Sequence, residues 1–220
     1  MEQSDQATEY KPHLNELGQW IASKVRQLST GWRDSSGIFH RGYINDDSYS
    51  TAVIAKLNHA AGHEVGDDPD IFAWTFEGMP ENLQRNNSEE VTSTEVAAHV
   101  AVTLFAVHQH SVHEASMTTD SNVSLGYAAG KLAVGNPNEA GIRRDFDKLQ
   151  TASSWRELVL HARRLVRKLK REKIAINYGL FAQDILSLRS GREAANQVRR
   201  RWGMDYLRGH RFTKPEEKQQ

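Results

Sequence analysis

HARRLVRKLKREK, residues 161–173, carries seven Lys and Arg side chains in thirteen positions. The apolar residues around it decide the local fold. Trp155, Leu158, Val159, Ala162, Leu165, Val166 and Leu169 recur at intervals of three and four, which is one continuous stripe along an α-helix. Arg156, Arg163, Arg164, Arg167, Lys168, Lys170 and Arg171 then fan over the rest of the circumference, offset only by Glu157 and Glu172. Surface helices ordinarily mix signs, because opposite charges four residues apart stabilise by about 0.2–0.5 kcal/mol and like charges cost a similar amount. A helix that accepts this repulsion points to an anionic partner; the plainer readings are a solvated basic face or a dock for an acidic protein.

The neighbouring segments carry the same sign, with Arg143 and Arg144 in EAGIRRDFDKL and Arg192, Arg199, Arg200 and Arg201 in GREAANQVRRRWGMDYL. Arg outnumbers Lys, and its planar fork can hold two phosphate oxygens at once. Nothing in the pattern reads bases, so the chemistry implied is contact with nucleic-acid backbone, in particular an extended strand. The whole chain has 28 Lys and Arg against 28 Asp and Glu, but the balance is uneven: residues 1–130 hold 7 against 18 and residues 131–220 hold 21 against 10. Zero net charge thus hides an acidic half and a basic half. The basic half would attract phosphates, and the acidic half would discourage indiscriminate binding or meet a basic partner. Mutual attraction of two oppositely charged domains is the alternative.

Outward from the basic helix, periodicity predicts further helices at 124–134, 138–150 and 178–189, with another starting near Arg192. In the first half, Leu14, Leu17, Ile21, Val25 and Leu28 mark a helix between Pro12 and Gly31. DDSYSTAVIAKLNHAAG reads as a capped helix ending at Gly62, DDPDIFAWTFEGMP as a short one, and NNSEEVTSTEVAAHVAVTLFAVHQH as a helix with an acidic start and a buried centre. The expectation is an all-α protein of two helical bundles in series: an acidic domain over 12–116, the polar junction ASMTTDSNVS, a basic domain over 122–209, and a disordered tail over 210–220.

The longest nearly apolar run, Val96–Val107, is too short to span a bilayer, and the N-terminus lacks the features of an export signal, so a cytoplasmic location away from membranes is expected. The absence of Cys removes thiol nucleophiles and Cys-bound metals. His59 and His63 stand four apart, close to Asp67, Asp68 and Asp70, but a helix break at Gly62 argues against a metal site. His99 reads as a satisfied residue in a buried helix; His108, His110 and His113 cluster at that helix's polar end, where positive charge suits the dipole. GYAAGKL lacks both the spacing and the Ser or Thr of a phosphate-binding loop, so Gly126 and Gly130 read instead as a close approach of two helices, with Asn122 or Ser124 as cap. No catalytic motif is present, and neither cofactor nor metal is expected. Trp155, Trp202 and Tyr206 could stack on bases, but their positions on apolar stripes favour the core.

Four stretches of the second half, NVSLGYAAGKLAVGN, AGIRRDFDKLQTASSWRELVLHARRLV, INYGLFAQDILSLRSG and VRRRWGMDYLR, occur in this order and at distances that together resemble the CasB family, the small subunit of the type I-E CRISPR Cascade complex. The residues carrying the likeness are Ser124, Leu125 and Gly126; Arg143 and Arg144; Arg163 and Arg164; Asp184, Ile185 and Leu186; and Trp202, Asp205 and Tyr206. The first half matches mainly in its helical run and in GIFHRGY, where this chain keeps Arg41 but has His40 at a position that is often Arg in the family. The GHEVGDDPD and HQHSVHEASMTTD segments look like insertions. The resemblance implies a non-catalytic subunit of an antiviral, crRNA-guided surveillance complex. Its partners would be single-stranded DNA of the target and displaced strands, the crRNA ribonucleoprotein, other Cascade subunits and a second copy of itself. In that setting Arg41, Arg143, Arg144, Arg163, Arg164, Arg167, Lys168, Arg192, Arg199 and Arg200 would hold phosphates and stabilise the opened target, the R-loop. A helix-turn-helix regulator and a metal-dependent hydrolase in the first half are the competing readings.

Overall fold

The computed structural model describes residues 10–84 and 90–212. Nine α-helices run through them: α1 (Glu16–Thr30), α2 (Ser48–Ala60), α3 (Phe72–Thr75), α4 (Ser93–Gln109), α5 (Leu125–Ala133), α6 (Glu139–Thr151), α7 (Trp155–Arg171), α8 (Tyr178–Arg189) and α9 (Arg192–Phe212). The fold is all-α as expected. Most of these helices begin at a side-chain cap: Asn15, Asp47, Thr92, Ser124, Ser154 and Asn177 each accept an otherwise unpaired N–H of the first turn. At α4 the cap is reciprocal, since Glu95 also takes the Thr92 N–H.

The only sheet among the described residues is a pair of two-residue antiparallel strands, β1 (Trp32–Arg33) and β2 (Phe39–His40), closed by an Asp34 side chain that accepts from Ser36 and Ile38. Strands this short carry no periodicity, which is why GIFHRGY reads only as a basic link.

Helix α4 is the hub. Every residue from Ala97 to Gln109 is buried, and α1, α2, α7 and α8 all pack on it. The apolar interior is therefore continuous from the acidic first half into the basic second half. The junction segment is itself anchored: Met117 is fully buried, Thr118 bridges to Ile176, and Asn122 N–H donates to the Tyr10 carbonyl. Helices α5 and α9 pack backbone to backbone. A Cβ on Gly126 would collide with the Trp202 carbonyl oxygen, and one on Gly130 with that of Tyr206, so both positions exclude any side chain. The tail expected over 210–220 differs at its start, where α9 continues through Phe212; residues 213–220 lie outside the described residues. No helix among the described residues is long and apolar enough to cross a membrane.

Candidate nucleic-acid interface

The basic residues are set on three neighbouring helices. Helices α6 and α7 form a hairpin, tied across by Lys168 and Asp145 at 2.6 Å. On its other flank α6 runs antiparallel to α9: Glu139 meets His210 at 2.7 Å, the Arg143 guanidinium lies 4.8 Å over the Tyr206 ring, and Gln150 donates to the Arg199 carbonyl at 3.0 Å. Burial of Ile142, Phe146 and Leu149 on α6, of Leu158, Ala162, Leu165, Val166 and Leu169 on α7, and of Ala195, Val198, Trp202 and Tyr206 on α9 turns the opposite faces to solvent.

On those faces Arg144, Arg164, Arg167, Arg192 and Arg200 are exposed, and among the described residues none pairs with a carboxylate. Lys148 and Arg171 share this condition. Arg171 was visible in the α7 fan, whereas Lys148 is an isolated cation whose role depends on what flanks it.

The remaining sequence candidates are placed differently. Arg143 is paired with Asp147 at 2.9 Å, both half-exposed, a pairing weak enough to exchange for a phosphate. Lys168 is occupied by Asp145 in a mostly buried pair, which makes it a strut between helices. Arg199 lies on the α6-facing flank of α9, its Nε buried without a partner. Arg163 and Arg164 are adjacent in sequence but about 100° apart around the helix. Arg164 faces outward, whereas Arg163 faces a cleft between α7 and the loop following α2, shared with Arg156 and Arg189. Burial, with Arg167 nearby, lowers the Arg163 guanidinium below its ordinary range. Arg41 is exposed beyond β2. His40 offers no outward charge: its ring stacks on Trp32 at 4.3 Å between centroids and faces Asp34 and Asp47 at 3.3 and 3.8 Å.

The histidines also sort by burial. His99 is buried and lies 3.2 Å from the His63 carbonyl, with burial lowering its pKa. His108 corrects the helix-dipole reading, because it is fully enclosed in the core and burial, helped by Lys170, pulls it down to about 3. It is neutral at physiological pH. Among the described residues no group of three His, Asp or Glu side chains could hold a metal ion. Trp202 and Tyr206 are core residues, Trp202 donating to the buried Asp184 carboxylate at 2.5 Å while Arg201 grips the other oxygen.

The family model described as CRISPR-associated protein Cse2 matches residues 53–207. Among solved structures, that described as CasB from Thermobifida fusca superimposes with a TM-score of 0.70 over 88% of this chain and 99% of that one, at 24% identity. That likeness shows a shared fold. No curated protein matches the sequence.

Proposed function

The chain belongs to the CRISPR-associated Cse2 family, which makes it a Cascade subunit, and from that premise we propose that it acts structurally, holding the separated strands of target DNA open. Guide pairing supplies sequence recognition. Exchanging a DNA duplex for an RNA–DNA hybrid is nearly balanced, so modest contacts to strand backbone suffice to tip it. The observation that carries this reading is the set of unpaired guanidiniums facing solvent on α6, α7 and α9: Arg144, Arg164, Arg167, Arg192 and Arg200. Exposed Arg without carboxylate partners retains its full complement of donors for phosphate oxygens. Arg143 joins them by releasing Asp147, and Arg41 adds a contact from the hairpin of the first half. The acidic segment 12–116 faces other Cascade subunits, the basic segment 122–209 faces the strands, and two copies lie end to end along the crRNA ribonucleoprotein.

The test is the salt dependence of single-stranded DNA binding by the full chain and by R144E/R164E. Each lost phosphate contact on a single strand reduces the slope of log affinity against log salt by about 0.7, so the double variant should lose roughly 1.4. An unchanged slope removes these residues from the interface. In a reconstituted guide-RNA complex, the same variant should lower the yield of opened target without affecting guide binding.

A further inference from the structure

Of the three aromatic residues that the sequence offers as stacking surfaces, Trp202 and Tyr206 are taken up by the core, but Trp155 is only partly buried and borders the cleft of about 740 Å³ between α7 and the loop after α2. That volume lies within the range of small-ligand sites, roughly 300–1,000 Å³. Val96, Val100 and Val159 give the cleft an apolar lining, and Leu160, 46% exposed, stands at its rim. The guanidiniums of Arg156, Arg163 and Arg189 line it too, that of Arg189 lying 4.9 Å over the Trp155 ring.

None of these three cations pairs with a carboxylate among the described residues, and Arg163 Nε is buried with no hydrogen-bond partner. A guanidinium withdrawn from water beside the like charge of Arg167 is relieved by an anion. The loop contributes the opposite chemistry to the same cleft. Glu64 and Asp67 are exposed there, Asp67 accepting the Glu64 N–H at 2.9 Å, and both keep carboxylate oxygens free to take N–H groups from a ligand.

An apolar slot edged by an Arg-stacked indole, a partly dehydrated cationic side and carboxylate acceptors are the three requirements of one ligand class. We infer that this cleft binds a single nucleotide with an amino-bearing base: phosphate on Arg156 and Arg163, base between Trp155 and the valine wall, and base N–H groups on Glu64 or Asp67. Adenine, cytosine and guanine carry such donors. Thymine has no amino group and presents mainly carbonyl oxygens, which the carboxylates repel. The inference deepens the strand-binding reading, since a captured base would fix an opened strand in register where backbone contacts alone let it slide.

The experiment titrates the full chain with deoxyadenosine 5′-monophosphate, following the methyl resonances of Val96, Val159 and Leu160 by NMR. The nucleotide should shift these methyls. 2-Deoxyribose 5-phosphate should bind at least about fivefold more weakly, the lower bound for one stacked base, and thymidine 5′-monophosphate should also bind more weakly because its carbonyl oxygens face Glu64 and Asp67. L160D, at the exposed rim, should abolish the shift, and E64Q should narrow the preference for adenine over thymine. Deoxyribose 5-phosphate binding as tightly as the nucleotide, or L160D binding unchanged, overturns the inference. The source is read in a second arm comparing an abasic strand with the same strand carrying one adenosine: a gain in affinity identifies a strand nucleotide, and mononucleotide binding without that gain identifies a free one. Neither arm depends on R144E/R164E, whose salt slope tests the outer surface separately.

Discussion

Lowering the pH from 7 to 5 should weaken the fold, chiefly through His108. Its Nδ1 lies 3.0 Å from the Tyr178 hydroxyl, which also lies 3.1 Å from the Leu104 carbonyl. Nε2 is buried with no hydrogen-bond partner. Burial, then repulsion from Lys170, pulls the group from 6.5 to about 3. The unfolded chain therefore binds a proton that the folded chain refuses. Stability from this group is complete above pH 6.5 and falls as pH drops toward 3. By linkage the loss between pH 7 and 5 is about 2 kcal/mol, and it would reach roughly 4 kcal/mol at pH 3. Urea denaturation of the wild-type chain and H108Q at pH 7, 6 and 5 measures it. Gln keeps a polar partner for Tyr178 but cannot titrate. H108Q should start from a lower stability at pH 7 and lose about 2 kcal/mol less than wild type on reaching pH 5. His99 and His110 are also lowered by burial and remain in both proteins, so only the difference between the two curves counts. Parallel curves would show that His108 is protonated or hydrated in the folded state and would refute the reasoning.

G126A should destabilise the chain by about 1–3 kcal/mol by forcing α5 away from the Trp202 carbonyl on α9, read as a lower urea midpoint with unchanged slope. Burial pushes Asp184 up to about 7, with Arg201 and Trp202 acting in the opposite direction. A raised carboxyl pKa means the folded state holds the proton more tightly, so this group's contribution falls as pH rises from about 4 to 7. R201A removes the attraction that limits the shift, and thermal melts should therefore show a larger loss against wild type at pH 8 than at pH 6; equal losses would count against it. K168A should separate α6 from α7 only slightly, costing about 1 kcal/mol or less in stability, and should leave the salt slope of strand binding unchanged.

The helices, their caps and the basic sign of the second half are properties of short sequence windows, and each could be read directly. Thr92 with Glu95, Ser124, and the stripe from Leu158 to Leu169 announce their elements because capping and 3.6-residue periodicity act within a few positions. The close packing at Gly126 and Gly130 was legible for the same reason: two glycines one helical turn apart leave a backbone bare. What tertiary structure alone decided is which polar groups meet. Arg163 and Arg164 look equivalent in sequence, but the rotation of one residue sends one into a cleft and the other into solvent. Lys168 is spent on Asp145 of another helix, and Arg189 reaches the cleft from the end of α8. His108 has the pattern of a helix-end cation, but α7 and α8 close over it. Periodicity fixes which face of a helix is covered, and long-range packing fixes what covers it; charge pairing, burial and titration all follow from the second.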